Sequence, residues 1–174
     1  MRSLVLLLLA CGCTVVDAPY PLTWDPLTAS STDCAAFRGR YADRGEEPGQ
    51  SAAPSLTREL FGADSPWEKA TVLRFEFPAA DRLEVAVDGP KPVAQSFSAK
   101  SGDFRCEGGR LKLRARRWVT SDLMSGRETV TLDLHLADPY LVAHVRESTT
   151  GVMFMVVPLS GESARWFRFR KLGP

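Results

Sequence analysis

Apolar side chains at every second position are the feature of this sequence that most constrains its fold. In "TVLRFEF", Leu73, Phe75 and Phe77 alternate with Arg74 and Glu76, and "RLEVAVD", "RLKLRAR", "TVTLDLHL" and "RWFRFRK" repeat the alternation further along the chain. Successive side chains of a β-strand point to opposite faces of a sheet, so each segment is predicted to be a strand with one buried face. The fold class is therefore predicted to be all-β.

Short polar stretches separate these segments and are predicted to be turns. They read "VDGPKP", "KSGDF", "EGGR", "MSGR", "ADPY", "TTGV" and "SGES", and Gly, Pro, Asp and Ser each favour a tight reversal of the backbone. Together they predict an antiparallel meander of about eight or nine strands, closing as a barrel or forming a strongly curved sheet. One short helix is predicted over "PSLTRELFG", with Ser55 as its N-cap and Gly62 at its end.

The hairpin over "ADPY" permits a prediction of strand register. A turn centred between Pro139 and Tyr140 would bring compatible side chains opposite one another. The predicted pairs are Leu134 with Val145, Leu136 with Ala143, Asp133 with Arg146, and His135 with His144. The segment 152–157 is apolar at successive positions and is predicted to be one strand covered on both faces. Alternatively it is an accessible edge that accepts a partner strand.

The first residues have the pattern of an export signal. Arg2 supplies a positive charge, residues 4–10 are apolar, and Cys11 follows a small residue. Seven apolar residues are too few to cross a bilayer as a helix. The stretch "LLAC" resembles the lipobox of bacterial lipoproteins, in which the cysteine is acylated and becomes the mature N-terminus. The resemblance implies lipidation at Cys11 and a membrane partner reached through the lipid anchor.

The residues around Cys11 also bear on destination and on alternatives. Gly12, rather than Asp, follows the cysteine, so the resemblance implies a place in the outer membrane, facing the periplasm. Acylation at Cys13 is the competing register, and an ordinary signal peptide cut after Ala18 is a second alternative. The predicted organisation is a signal peptide over 1–10, a lipidated tether over 11–32 and one antiparallel β domain over 33–174.

Two cysteines lie within the predicted domain. Cys34 and Cys106 would meet an oxidising compartment in an exported protein, where a disulfide is the simplest outcome. Free thiols and a zinc site are the alternatives, but the spacing typical of zinc sites is missing. His135 and His144, with Asp133 nearby, are too few for a metal site, so no metal and no cofactor are predicted.

Charge and motifs limit the possible functions. The 22 basic residues are balanced by 21 acidic ones, so no overall field attracts nucleic acid, and no nucleic-acid partner is predicted. Nucleophile motifs and a phosphate-binding glycine loop are missing, so no catalytic residue and no enzymatic activity are predicted. Basic residues do crowd two strands and could bind an anion, or could form a solvated face. They are Arg110, Lys112, Arg114 and Arg116 on one strand, and Arg168 and Arg170 on the last.

Two further resemblances concern the domain itself. "GRY" over residues 39–41 resembles the Gly-x-Trp signature of lipocalins, with Tyr41 at the Trp position. The chain from Cys34 through "SLTRELF" is similar to uncharacterised proteobacterial lipoproteins. We therefore expect a membrane-anchored envelope lipoprotein whose β domain binds a cell-envelope component or has a structural role. The alternative is a lipocalin-like carrier that holds a small apolar ligand inside a barrel.

Overall fold

Antiparallel strands follow one another around a single sheet, as the alternating pattern predicts. The computed structural model describes residues 15–27, 33–62, 70–88, 93–120, 124–153 and 157–173. The strands are β1 (Val15–Asp17), β2 (Gly39–Glu46), β3 (Val72–Ala79), β4 (Arg82–Asp88), β5 (Val93–Ser98), β6 (Phe104–Glu107), β7 (Arg110–Thr120), β8 (Met124–Ala137), β9 (Tyr140–Met153) and β10 (Val157–Gly173). The predicted signal peptide, Cys11 and Cys13 lie outside the described residues.

The sheet does not close into a barrel, so the closed form of the predicted meander is wrong. Nine strands lie in the order β5-β4-β3-β2-β10-β9-β8-β7-β6, and β1 adds to β10 in parallel. Closure would require β5 to pair with β6, but both remain edge strands. The reason is the length of β6, which has four residues and pairs only with the first part of β7. No helix in the described ranges is long and apolar enough to span a membrane.

One apolar core lies inside the sheet and is richest in aromatic side chains at one end. Phe37, Tyr41, Phe75, Phe167 and Phe169 are among its largest fully buried members. The inward positions predicted from the alternating segments are buried there, except Ala115 and Leu136, which are half-buried. The Tyr41 hydroxyl donates to the Phe37 carbonyl at 2.8 Å. Alternation therefore predicts the buried face of the strands.

The hairpin between β8 and β9 has a different register from the predicted one. Its turn consists of Asp138 and Pro139, so Ala137 pairs with Tyr140. The observed pairs include Leu134 with Ala143, Leu136 with Leu141, Asp133 with His144, and His135 with Val142. Each partner is shifted by two residues, which leaves every side chain on its predicted face. A two-residue turn is the tightest hairpin connection, and Tyr140 consequently belongs to the strand.

Three of the predicted turns are wrong, because "MSGR", "TTGV" and "SGES" lie inside β8, β9 and β10. Gly126 and Gly151 pair directly across β8 and β9. A Cβ on either residue would lie 2.5 Å from a backbone oxygen of the facing strand. These glycines permit a close approach of two backbones rather than a reversal. The three strands therefore continue as a long ribbon.

The ribbon ends where Met153 pairs with Val157. The segment 152–157, predicted to be one strand, is therefore divided between β9 and β10, and residues 154–156 lie outside the described part. The end of β7, β8, β9 and β10 nearest to this pair is called the ribbon tip. Trp118, Arg127, Val152 and Leu159 lie there.

A short helix and a disulfide complete the fold. Helix α1 (Leu56–Phe61) follows the predicted N-cap Ser55, whose hydroxyl accepts from the Arg58 backbone N–H at 3.1 Å. The helix ends at Gly62, where φ is +94°, a conformation that favours glycine. A 3-10 helix (Cys34–Phe37) precedes β2. Cys34 forms a disulfide with Cys106 of β6.

The described part of the predicted tether lies against the sheet. Val15 pairs with Glu162, and Asp17 with Ala164, in parallel alignment with β10. The Trp166 ring packs edge-on against Tyr20, with 4.9 Å between ring centres. Residues 15–27 are therefore attached to the domain through backbone pairing and aromatic contacts.

Candidate functional site

A cleft occupies the seam that the sheet leaves open. Its volume is about 730 Å³, within the roughly 300–1,000 Å³ that small-molecule sites occupy. It lies between β5 and the second half of β7, with the end of α1 at its base, and is called the seam cleft. The residues that line it include Leu60, Phe61, Phe97, Arg114, Arg116 and Arg117.

The seam cleft exists because β6 ends the pairing of β7 too early. The last backbone bond on that side runs from the Arg114 N–H to the Asp103 carbonyl at 2.8 Å. Among the described residues, β7 continues to Thr120 and pairs there only with β8. On the other side of the cleft, the described partner of β5 is β4. Two strand edges consequently face one space, which extends to Thr120 near the ribbon tip.

The base of the seam cleft is apolar. Leu60 and Phe61 come from α1, and Phe97 is the buried residue near the end of β5. The Phe61 and Phe97 rings lie 6.4 Å apart between centres in a tilted arrangement. Leu60 and Phe97 belong to the core and are buried, while Phe61 is half-buried. The cleft floor is thus continuous with the hydrophobic core.

Arginines form the β7 wall of the seam cleft. Arg114 and Arg116 are exposed and line the cleft. The β7 residues next to them do form ion pairs: Lys112 Nζ lies 3.5 Å from an Asp133 oxygen, and Arg117 bonds to Glu128. Arg114 and Arg116 therefore present guanidinium groups that no carboxylate of the described chain neutralises. Such groups are well suited to phosphates and carboxylates.

Behind the arginine wall, the interior of the sheet changes from apolar to charged. Moving towards the ribbon tip, the inward position after Val130 is Glu128, after Val145 it is Glu147, and after Phe167 it is Arg165. Arg165 donates to Glu147 at 3.0 Å. This charged layer surrounds a second hollow of about 390 Å³, on the side of α1 away from the seam. Its members are Glu59, Arg117, Glu128, Glu147 and Arg165.

Glu59 of α1 is the most buried member of the charged layer. Its carboxylate lies 3.9 Å from Arg165 Nη2. Burial raises the pKa of Glu59 from 4.5 to about 7, and Arg165 offsets part of that rise. The helix places Glu59 on its buried side because Leu56 and Leu60 pack into the core next to it. Glu59 therefore changes its charge near neutral pH.

The structure divides the predicted anion-binding residues between two places. Arg110, Lys112, Arg114 and Arg116 lie on β7, while Arg168 and Arg170 lie on β10, with β8 and β9 between them. Arg168 bonds twice to Glu46, at 2.6 and 2.8 Å. Its guanidinium also lies 5.0 Å from the Trp24 ring centre and 4.7 Å from that of Tyr140. The two halves of the set do not share one site.

The two histidines lie beneath the attached N-terminal segment. His144 stacks on Trp166 with ring centres 4.2 Å apart, and its Nε2 lies 3.6 Å from an Asp17 oxygen. Burial lowers the pKa of both His135 and His144. Within the described ranges, no three His, Cys, Asp or Glu side chains form a group that could hold a metal.

Sequence reasoning missed Phe61, Phe97 and Glu59, which lie at the base of the two hollows. One feature of the sequence could have indicated the charged layer. Arg116 and Arg117 are consecutive, so one of them must point to the inner face of the strand. Comparison of the whole chain with protein-family models, with curated proteins and with solved structures gives no significant match.

Proposed function

We propose that this protein is a membrane-anchored envelope lipoprotein whose β domain binds an amphipathic anion in the seam cleft. The ligand class is an acyl chain that carries a phosphate or carboxylate. The observation that carries the proposal is the pair of guanidinium groups, Arg114 and Arg116, that lack a carboxylate partner among the described residues and lie on the wall of a cleft with an apolar floor. The anchor is the acylated Cys11 that the lipobox resemblance implies.

The two parts of the cleft match the two parts of such a ligand. Phe61, Phe97 and Leu60 offer apolar surface to an acyl chain, and each methylene buried there contributes about 0.8 kcal/mol. A neutral apolar ligand would leave the arginine wall unused. An inorganic anion would leave the floor in water. An anionic amphiphile uses both and is abundant at a lipid surface.

The carrier alternative takes a modified form in this proposal. Aromatic side chains such as Phe75, Phe167 and Phe169 fill the interior at the disulfide end of the sheet. The space proposed for the ligand is the cleft between β5 and β7, instead of the centre of a closed barrel. The proposed protein therefore binds at an open groove that exchanges ligand with its surroundings.

Calorimetric titration with dodecyl phosphate and with dodecanol, below their aggregation limits, tests the proposal. The anionic compound should bind the wild-type protein at least about tenfold more tightly, since a charge-assisted hydrogen bond contributes about 1.5–3 kcal/mol. Replacing both wall residues (Arg114→Ser with Arg116→Ser) should remove this preference and leave weak binding of both compounds.

The matched control removes two arginines from another part of the sheet. Arg40 and Arg74 pair across β2 and β3 and have exposed side chains with their own carboxylate partners. Arg40→Ser combined with Arg74→Ser changes the net charge equally and should retain wild-type binding. If both double variants lose the preference for dodecyl phosphate equally, the preference comes from overall charge. If the Arg114 and Arg116 variant binds dodecyl phosphate as tightly as the wild type, the proposed site is refuted.

A further inference from the structure

The ribbon tip carries apolar side chains that the rest of the described chain leaves in water. Trp118 is 67% exposed, Val152 41% and Leu159 37%. Trp118 and Val152 line one shallow depression at the end of β7, β8 and β9. Leu159 lies at the same end on the opposite face, because it pairs with Gly151, the neighbour of Val152. Large exposed apolar groups on both faces of one end of a sheet mark an interaction surface.

The direction of β1 connects this surface with the predicted anchor. β1 runs parallel to β10, with Val15 opposite Glu162. The chain therefore enters β1 from the side of the ribbon tip. Leu159 lies three residues from Glu162 towards that tip, which is about 10 Å along a strand. Cys11 precedes Val15 by four residues, which reach at most about 14 Å. The described chain therefore begins at Val15, which lies nearer to the tip than to the other end of β10 and four residues after the proposed anchor.

The chemistry around Trp118 fits a lipid surface. Arg127 pairs directly opposite Trp118 on β8, and Arg116 lies two residues before it on the same face of β7. Tryptophan is enriched at the membrane interface because its ring is both apolar and able to donate a hydrogen bond. Arginine beside it is attracted to anionic phosphates, by about 1 kcal/mol for each basic residue near the surface.

We infer that the ribbon tip inserts into the headgroup region of the anchoring leaflet, with Val152 and Leu159 below the phosphates and the paired Trp118 and Arg127 at their level. This inference rests on the proposed anchor at Cys11. It deepens the proposed function, because Arg116 and Trp118, which lie beside Arg127 at the tip, also line the seam cleft. An amphiphile can then pass from the bilayer into the cleft along the arginine wall.

Site-specific fluorescence of the full acylated chain tests the orientation. Cys13→Ser leaves one new thiol available for labelling, because Cys34 and Cys106 are bonded to each other and Cys11 carries lipid. Val152→Cys places an environment-sensitive label at the tip. Leu172→Cys is the matched control, since Leu172 is 45% exposed and lies near the other end of β10. The vesicles contain phosphatidylethanolamine and phosphatidylglycerol.

The label at 152 should shift to shorter wavelength and be quenched by lipid-attached nitroxide at least about twofold more than the label at 172. Co-flotation with the vesicles is measured on the same samples, with Cys11→Ser as the unanchored control. A chain that floats while both labels stay equally accessible to an aqueous quencher overturns the orientation alone. A chain that fails to float refutes the anchor and the orientation together.

Discussion

The two ends of this sheet are built from the same strands but have opposite interiors. At the end that holds the disulfide, Phe167 and Phe169 of β10 are fully buried among other aromatic rings. Towards the ribbon tip, the same inward face of β10 carries Arg165, which bonds to Glu147. The disulfide end has the features of a folding core. The tip end has charged groups, an open seam and exposed apolar side chains, which are features of a binding surface.

The difference shows how strand length separates a stable core at one end of this fold from a binding surface at the other. β8, β9 and β10 extend over 14, 14 and 17 residues, whereas β3, β4 and β5 have 8, 7 and 6. The short strands can enclose only one end of the interior. The excess length of the long strands, together with the early end of β6, leaves the other end open.

Truncating one aromatic side chain at each end should show the largest difference in the free energy of unfolding. Phe169→Ala removes a fully buried ring beside Phe167 and should lower the free energy of unfolding by about 3–5 kcal/mol. Trp118→Ala at the ribbon tip should change it by less than about 0.5 kcal/mol. Urea denaturation followed by circular dichroism measures both. Comparable losses in the two variants would show that the tip belongs to the folding core.

The charged layer predicts a dependence of stability on pH that the aromatic end lacks. Burial holds the pKa of Glu59 at about 7 in the folded protein, above its ordinary 4.5. Between these two values the unfolded chain has released the proton and the folded chain retains it, so the free energy of unfolding falls as pH rises. The loss is complete above about pH 7 and absent below about pH 4.5.

Glu59→Gln should therefore stabilise the protein at pH 8 by up to about 3 kcal/mol and have little effect near pH 4.5. The measurement is the urea midpoint of both proteins across this range. Glu46→Gln, which alters an exposed carboxylate paired with Arg168, is the control and should leave the pH profile unchanged. A wild-type midpoint that stays constant from pH 5 to pH 8 would contradict the assigned burial of Glu59.

The sequence predicts the buried faces well because alternation is a local signal. Leu73, Phe75 and Phe77 all point inward as expected, and Ser55 caps the helix as its position suggests. The disulfide between Cys34 and Cys106, predicted from the expected export to an oxidising compartment, is present in the structure.

Turns and closure could not be predicted with the same success, because they depend on contacts between distant residues. Gly126 resembles a turn residue locally, but its role is to let β8 approach β9 at Gly151. Barrel closure depends on whether β6 can cover the edge of β7, and alternation does not measure that length. The seam cleft follows from this missing pairing, and Phe61 and Phe97 meet there only after the sheet has folded.

Photo-crosslinking tests most directly whether the open seam is the binding site. Dodecyl phosphate with a diazirine at the end of its alkyl chain is bound to the wild-type protein, irradiated, and the adducts are located by mass spectrometry. We expect adducts concentrated on the cleft floor, at Leu60, Phe61 and Phe97. Adducts concentrated on the outer aromatic cluster around Trp166, or spread over the surface in proportion to exposure, would contradict the assignment of the seam cleft as the ligand site.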